Sequence, residues 1–193
     1  TTPEHLPAGT GPDDDALHPI DRAARLVPED LCLHLPGEDG VLRLVAASVA
    51  FPSGWSVREK LGLPIGAIHD PVPAYGREIG RAVDRVIESL TAQRGLWRLN
   101  GSLHGDAELF RPAYPPGSAP VRVPDDVVLR VERQTLRRLP RTGAVVFTIR
   151  TYVDPLTSIE ADPAMRAQLA SWLRGLDDEQ LAYKRLETLA PAV

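Results

Sequence analysis

The 193-residue chain is short of several things. It has one cysteine, one methionine and only three phenylalanines, four tyrosines and three tryptophans. With Cys32 alone, no intrachain disulfide forms and no cysteine-based zinc cluster can be assembled, and a reducing, cytoplasmic setting is expected. No apolar run approaches the roughly 18–20 residues that cross a bilayer, so no membrane partner is expected. A dominant charge is missing too: 22 basic against 26 acidic residues leave a net charge of −4, which favours neither nucleic acid nor an anionic surface. The five histidines, at positions 5, 18, 34, 69 and 104, show neither HExxH nor HxH spacing, so a zinc site is not expected. There is no Walker loop, no G-x-G-x-x-G after a strand and no G-x-S-x-G elbow. No basic segment followed by an apolar one marks a signal peptide. The chain begins without Met, so an upstream part, removed or belonging to a larger protein, is expected.

What is present is an ordinary globular composition, 43% apolar and 25% charged, with 19 prolines that punctuate the apolar runs. Residues 1–28 are polar and rich in Pro, Gly and Asp, and read as a flexible or extended lead-in. In "EDLCLHLPGEDGVLRLVAASVAFP" an alternating strand, a Gly-containing turn and a second strand predict a hairpin. The stretch from Pro52 to Pro73 is broken by Gly and Pro and allows only short helices. "AYGREIGRAVDRVIESLTAQ" spaces Ile79, Val83, Val86, Ile87 and Leu90 as an amphipathic helix. "LWRLNGSLH" is a third strand, and "DVVLRVERQTLRRL" and "GAVVFTIRTYVD", joined by "PRTG", are a second hairpin. Two helices close the chain, around "PAMRAQLASWLRGL" and "DDEQLAYKRLETL". The expected class is α+β: a PAS-like five-stranded antiparallel sheet over about residues 29–155, with helices inserted after the second strand and a C-terminal helical extension over 156–193. Such a plan leaves a ligand cavity between helices and sheet.

Four features bear on chemistry. His69 precedes Pro71 and Pro73, which stiffen the backbone and aim its imidazole; it is either a loop histidine bonded to nearby backbone or a haem ligand, for which one histidine suffices. His104 follows the third strand and is either an exposed turn histidine or a group over the sheet, able to hydrogen-bond substrate or oxygen from the far side. Arg133 continues the row of Leu129, Val131 and Thr135, while Arg130, Glu132 and Gln134 share the other face. A charge on an apolar row sits at the sheet margin or pairs with something buried, either a carboxylate ligand or an ion-pair partner such as Glu132 or Asp154. The run "RVERQTLRRLPR" is either a solvated hairpin tip or a docking patch for an acidic electron donor. Cys32 reads as a core residue.

"FPSGWSVREKLGLPIGAIHDPVPAY", "WRLNGSLHGD", "RVERQTLRRLPRTGAVVFTIRTYVDPL" and "LAYK" together resemble the haem-dependent oxidative N-demethylase α-subunit-like family, from about His18 to near the C-terminus. The resemblance implies a PAS fold holding haem b and oxidative removal of a methyl group from a small secondary amine. It implies use of O₂, with electrons from NADPH delivered by a separate reductase, and a chain that associates with such an electron-transfer protein or into an oligomer. It implies His69 as the axial ligand, with His104 in reserve. Tyr75 and His104 become catalytic candidates, and Arg133, Gln134, Arg138 and Asn100 cofactor-binding ones. The other reading is a non-catalytic haem-binding PAS-type sensor or a module that organises a complex. Two departures stand out: Gly101 where the family has Trp, expected to open space beside the cavity, and Ala50 where Cys is frequent.

Overall fold

The computed structural model describes residues 17–73, 75, 80–114, 121–187 and 189, and not the side chains of Arg81 and Asp84. Helix α1 (Pro19–Ala24) precedes strands β1 (Asp30–Pro36) and β2 (Leu42–Ser48). Helices α2 (Val57–Lys60), α3 (Ile65–His69) and α4 (Gly80–Glu88) follow. Strands β3 (Leu96–His104), β4 (Val128–Arg138) and β5 (Val145–Pro155) complete the sheet. A 3-10 turn (Leu156–Ile159) leads into α5 (Pro163–Arg174) and α6 (Asp178–Lys184). All strand pairs are antiparallel, in the order β2-β1-β5-β4-β3. The expected α+β class with a five-stranded antiparallel sheet and helices after the second strand is present. Of the lead-in, residues 1–16 lie outside the described residues; in the rest, α1, started by the His18 side chain and by Pro19, packs beside β1 and β2. The amphipathic helix ends at Glu88, before Leu90, and Ile79, with residues 74 and 76–78, lies outside the described residues.

Two turns rely on glycine. Gly40, at φ +76°, closes the β1–β2 hairpin and donates its N–H to the Gly37 carbonyl; Gly143, at φ +70°, closes the β4–β5 hairpin. Period-two alternation assigns every strand residue to one of two faces. One face, called inner here, carries Asp30, Cys32 and His34 of β1, Leu44 of β2 and Val145 and Ile149 of β5, all buried. On β4 the same face carries Arg130, Glu132, Gln134, Leu136 and Arg138, and on β3 it carries Leu96, Arg98, Asn100, Ser102 and His104. Ile65 of α3 and Ile87 and Leu90 at the end of α4 form an apolar cluster with Val145, Leu136, Leu96 and Leu42, which seats both helices on this face.

The alternation of β4 leaves Arg133 either at the sheet margin or paired, and its partner is Glu29 rather than Glu132 or Asp154. The polar row Arg130, Glu132 and Gln134 is buried, and Arg133 faces outward with 48% of its side chain exposed, 3.6 Å from Glu29. The reason is a hydrogen-bonded network that satisfies the buried charges. Glu132 accepts from Arg130 Nε at 3.3 Å, from Gln134 Nε2 at 3.0 Å and from Asn100 Nδ2 at 3.4 Å. Arg130, 2% exposed, also donates to the Phe51 and Leu109 carbonyls at 2.5 and 3.3 Å, tying two loops to the sheet. A buried ion pair so enclosed costs several kcal/mol to break from one side.

The C-terminal helices share a second core with the sheet. Leu156, Ile159, Leu173, Leu186 and Leu189 pack with Leu103 and Val127. Asp162 caps α5, and Asp177 with Gln180 forms a capping box for α6. Lys184 of α6 reaches β3, donating to Asn100 Oδ1 at 3.2 Å and to the Gly101 carbonyl at 2.9 Å, beside the Trp172 ring.

Candidate functional site

His69 ends α3, one turn beyond Ile65. Its Nδ1 lies 2.8 Å from the Ile65 carbonyl. A carbonyl only accepts, so Nδ1 carries the proton and Nε2 keeps the lone pair. Burial holds the imidazole below its usual value, opposed by the Ile65 bond and helped by the positive charges of Arg98 and Lys60, so the ring is neutral at pH 7. A neutral imidazole whose Nδ1–H is fixed by a carbonyl is the state in which histidine binds a metal.

The motif around it now has a local explanation. Val72 donates to the His69 carbonyl at 2.8 Å and Tyr75 to the Val72 carbonyl at 3.1 Å, so the chain folds back through Pro71 and Pro73. This lays the Tyr75 ring on the imidazole, with centroids 4.8 Å apart and planes 11° from parallel. A Cβ on Gly80 would stand 3.1 Å from the Tyr75 carbonyl, so a residue without one suits the start of α4. Tyr75 is buried and serves as a wall that fixes the ring plane of His69.

The remaining sequence candidates divide. Gln134 and Asn100 lie on the inner face with His69's neighbour Arg98: Arg98 Nε donates to Gln134 Oε1 at 2.8 Å, and both Gln134 and Asn100 bond Glu132. Arg98 itself is exposed, at the β3 margin of the inner face. Arg133 stands on the opposite face, so it belongs to a different surface from His69. Arg138 is on the inner face, yet its guanidinium is spent on backbone: Nε to the Leu90 carbonyl at 2.9 Å, Nη2 to Ile87 at 3.2 Å and Nη1 to Gly143 at 2.9 Å. It joins the end of α4 to the β4–β5 turn.

His104 is not brought to His69. Its Nε2 lies 2.8 Å from Ser102 Oγ and its ring stacks on Tyr114, with centroids 6.2 Å apart. Burial, then the nearby Arg111 and Arg130 charges, push its pKa down to about 4. Tyr114 is in turn near Ser53 Oγ and under Arg185. This is a packed corner where β3 meets two loops and α6. The expected space at Gly101 is also corrected. Gly101 falls on the outer row of β3, and a Cβ there would meet the Trp172 indole at 4.0 Å. An indole from α5 therefore stands beside the small residue, and the substitution does not open the His69 side.

One residue was missed. His34 is 6% exposed on the inner face of β1, opposite Val145, and its Nδ1 has no hydrogen-bond partner among the described residues. Burial, and to a lesser extent His69, hold it neutral against the pull of the Val145 carbonyl. Between two leucines it reads as a strand residue; only the ladder shows which way it faces. Cys32 beside it is a core thiol, pushed up to about 12 by burial.

Two grooves mark the described surface. One, about 370 Å³, is lined by Glu29, Asp30, Phe51, Leu109 and Arg150; the other, about 400 Å³, by Trp97, Arg133, Thr135 and Arg137 among others. Neither includes His69, so the case for this site rests on its donor set. No helix among the described residues is long and apolar enough to cross a membrane. The whole chain, residues 1–193, matches a family model described as haem-dependent oxidative N-demethylase, alpha subunit-like.

Proposed function

The chain belongs to the haem-dependent oxidative N-demethylase, alpha subunit-like family, and on that premise we propose that it is a haem enzyme in which His69 Nε2 would hold the haem iron. The single observation that carries the reading is the His69 Nδ1 bond to the Ile65 carbonyl, which presents a neutral, fixed lone pair. The donor chemistry fits haem: one histidine is enough, and no cluster of further ligands is required. When bound, haem supplies activation of O₂, by which a methyl C–H of a small secondary amine is oxidised with two electrons and two protons, giving water and a carbinolamine that separates into formaldehyde and the demethylated amine.

The chain's own part is positioning. Tyr75 fixes the plane of His69. Arg98, exposed at the margin of the inner face and oriented by Gln134, is the cation suited to a propionate, whereas the family resemblance implies cofactor-binding roles for Arg133 and Arg138. Gln134 and Asn100 act through the Glu132 network that holds Arg98 in place. The electrons come from a separate NADPH-dependent reductase, and the family's description as an alpha subunit supports a partner of that kind.

The test is reconstitution with haemin. Wild-type protein should develop a Soret band, and His69→Ala should lose it while His104→Ala keeps it. Formaldehyde should be released from a panel of methylamines with a supplied reductant. Protein that stays colourless with haemin rules the enzyme out. Colour without formaldehyde from any amine points to the sensor-type reading.

A further inference from the structure

The arginine-rich run of β4 divides between the two faces of the sheet. Arg130 and Arg138 point inward and are engaged there, whereas Arg133 and Arg137 stand on the outer face. The strand register builds the surroundings of that outer pair. Leu99, Arg133 and Arg150 form one row across β3, β4 and β5. Trp97, Thr135 and Thr148 form the next row on one side, and Gly101, Val131 and Tyr152 the next on the other. Trp97, Leu99 and Tyr152 are exposed at 69%, 60% and 43%. Apolar side chains exposed singly are ordinary, but neighbours exposed together mark an interaction site. Trp, Tyr and Arg are also the residues that dominate binding hot spots.

Charge selects the occupant. Arg133 and Arg150 stand directly opposite each other, and like charges so placed destabilise a sheet. Arg133 is 3.6 Å from Glu29, in a partly exposed pair of small worth. Arg150 lies over the Tyr152 ring, 5.4 Å from its centroid, and makes no hydrogen bond or ion pair among the described residues. Arg137 adds a third charge in the groove it shares with Trp97 and Arg133. The face is therefore basic on a chain whose net charge is −4. A second copy related by a two-fold axis would bring these arginines against themselves. An acidic partner turns the same repulsion into attraction.

We propose that this outer face, centred on Trp97, Arg133, Arg150 and Tyr152, is the docking surface for an acidic electron carrier of ferredoxin type. The partner's role rests on the oxidative function proposed above; the surface rests on the residues just named. The sheet is one layer thick, so the backbone of β4 alone separates Arg133 from Glu132 and Gln134 of the inner face. A one-electron carrier docks twice for each amine oxidised, which suits a contact that is electrostatic, fast and weak.

The probe is a plant-type [2Fe–2S] ferredoxin, titrated calorimetrically into the full-length protein with and without haem. Binding should be detectable at low salt and weaken steeply as salt is raised. Trp97→Ser should weaken it about 30-fold and Arg150→Gln about 5-fold at low salt. Arg58→Gln, at an exposed position on α2, should leave it unchanged. Melting curves supply a second readout. Arg150→Gln relieves a like-charge contact, so it should melt no lower than wild type; a clear fall would make Arg150 a structural residue and overturn the proposal. Ferredoxin that ignores the wild-type protein, or binds all the variants equally, overturns it too. So does a wild-type dimer in sedimentation that Trp97→Ser converts to monomer, because a second copy then occupies the face. Protein that takes up no haem yet binds ferredoxin through Trp97 and Arg150 overturns the haem reading and upholds the docking surface. Haem uptake without ferredoxin binding overturns the docking surface alone.

Discussion

Replacing Arg138 by Met separates a structural arginine from a cofactor-binding one. The aliphatic stem is retained, so packing changes little. Lost are donations to three carbonyls: Ile87 and Leu90 at the end of α4, and Gly143 in the β4–β5 turn. Hydrogen bonds involving a charged group contribute about 1.5–3 kcal/mol each. Water can reach this half-buried site and replace part of each bond, so about 3 kcal/mol in all is expected. A cation also complements the carbonyl end of a helix, which adds to the loss. For a chain of this size each kcal/mol moves the melting temperature by about 2–4 °C, so haem-free R138M should melt about 6–12 °C below wild type. R138K keeps the charge but cannot fork to three acceptors, and should regain only a minor part. Calorimetry or far-UV circular dichroism of the haem-free proteins gives the answer. If haem-free R138M melts within about 2 °C of wild type while its haem dissociates faster, Arg138 holds the cofactor and the structural role given to it here is wrong.

Acid should destabilise the fold through His104. The folded protein resists protonating it until about pH 4, whereas the unfolded chain takes the proton near 6.5. Its contribution is therefore complete above about pH 6.5 and is lost as pH falls towards 4, up to about 3 kcal/mol. Urea titrations at pH 7 and pH 4.5 should show this loss, and His104→Gln should flatten the difference; equal slopes in both proteins would contradict it. Two glycines should respond oppositely to alanine. Gly101→Ala meets only ordinary contact with Trp172 and should stabilise by about 0.5 kcal/mol, whereas at Gly54, at φ +74°, the new Cβ would stand 2.1 Å from the Tyr114 ring and should cost more than 1 kcal/mol. Parallel melting curves of the two variants check both signs.

Much of the fold could be read along the chain, because hairpins and amphipathic helices leave local marks: the alternation of β1, the Gly-bearing turns and the 3.6-residue spacing ahead of Leu90. What could not be read was direction. A period of two says that Arg133 and Glu132 lie on opposite faces, but not which face is covered. The usual rule puts apolar residues inside, and it fails on β4 because Glu132, Arg130, Gln134 and Asn100 satisfy one another across two strands. Two of these bonds join residues two apart, but the one from Asn100 spans 32 residues and leaves no local trace. The same limit hid His34, whose setting depends on β5 and α3. His69 and Tyr75 were accessible because they are six residues apart and meet within one turn.

The Lys184 contact with β3 has a consequence apart from stability. Strand β3 ends the sheet, nine residues long, with Trp97 and Leu99 exposed at 69% and 60%. An edge of that length and composition is a template on which another chain can add a strand. The Gly101 carbonyl, near the middle of that edge, is already occupied by an ammonium group, and α6 and Trp172 stand beside it. The last helix thus acts as a guard against edge-to-edge aggregation: a charge placed midway along the strand interrupts the row of acceptors that an incoming strand would need.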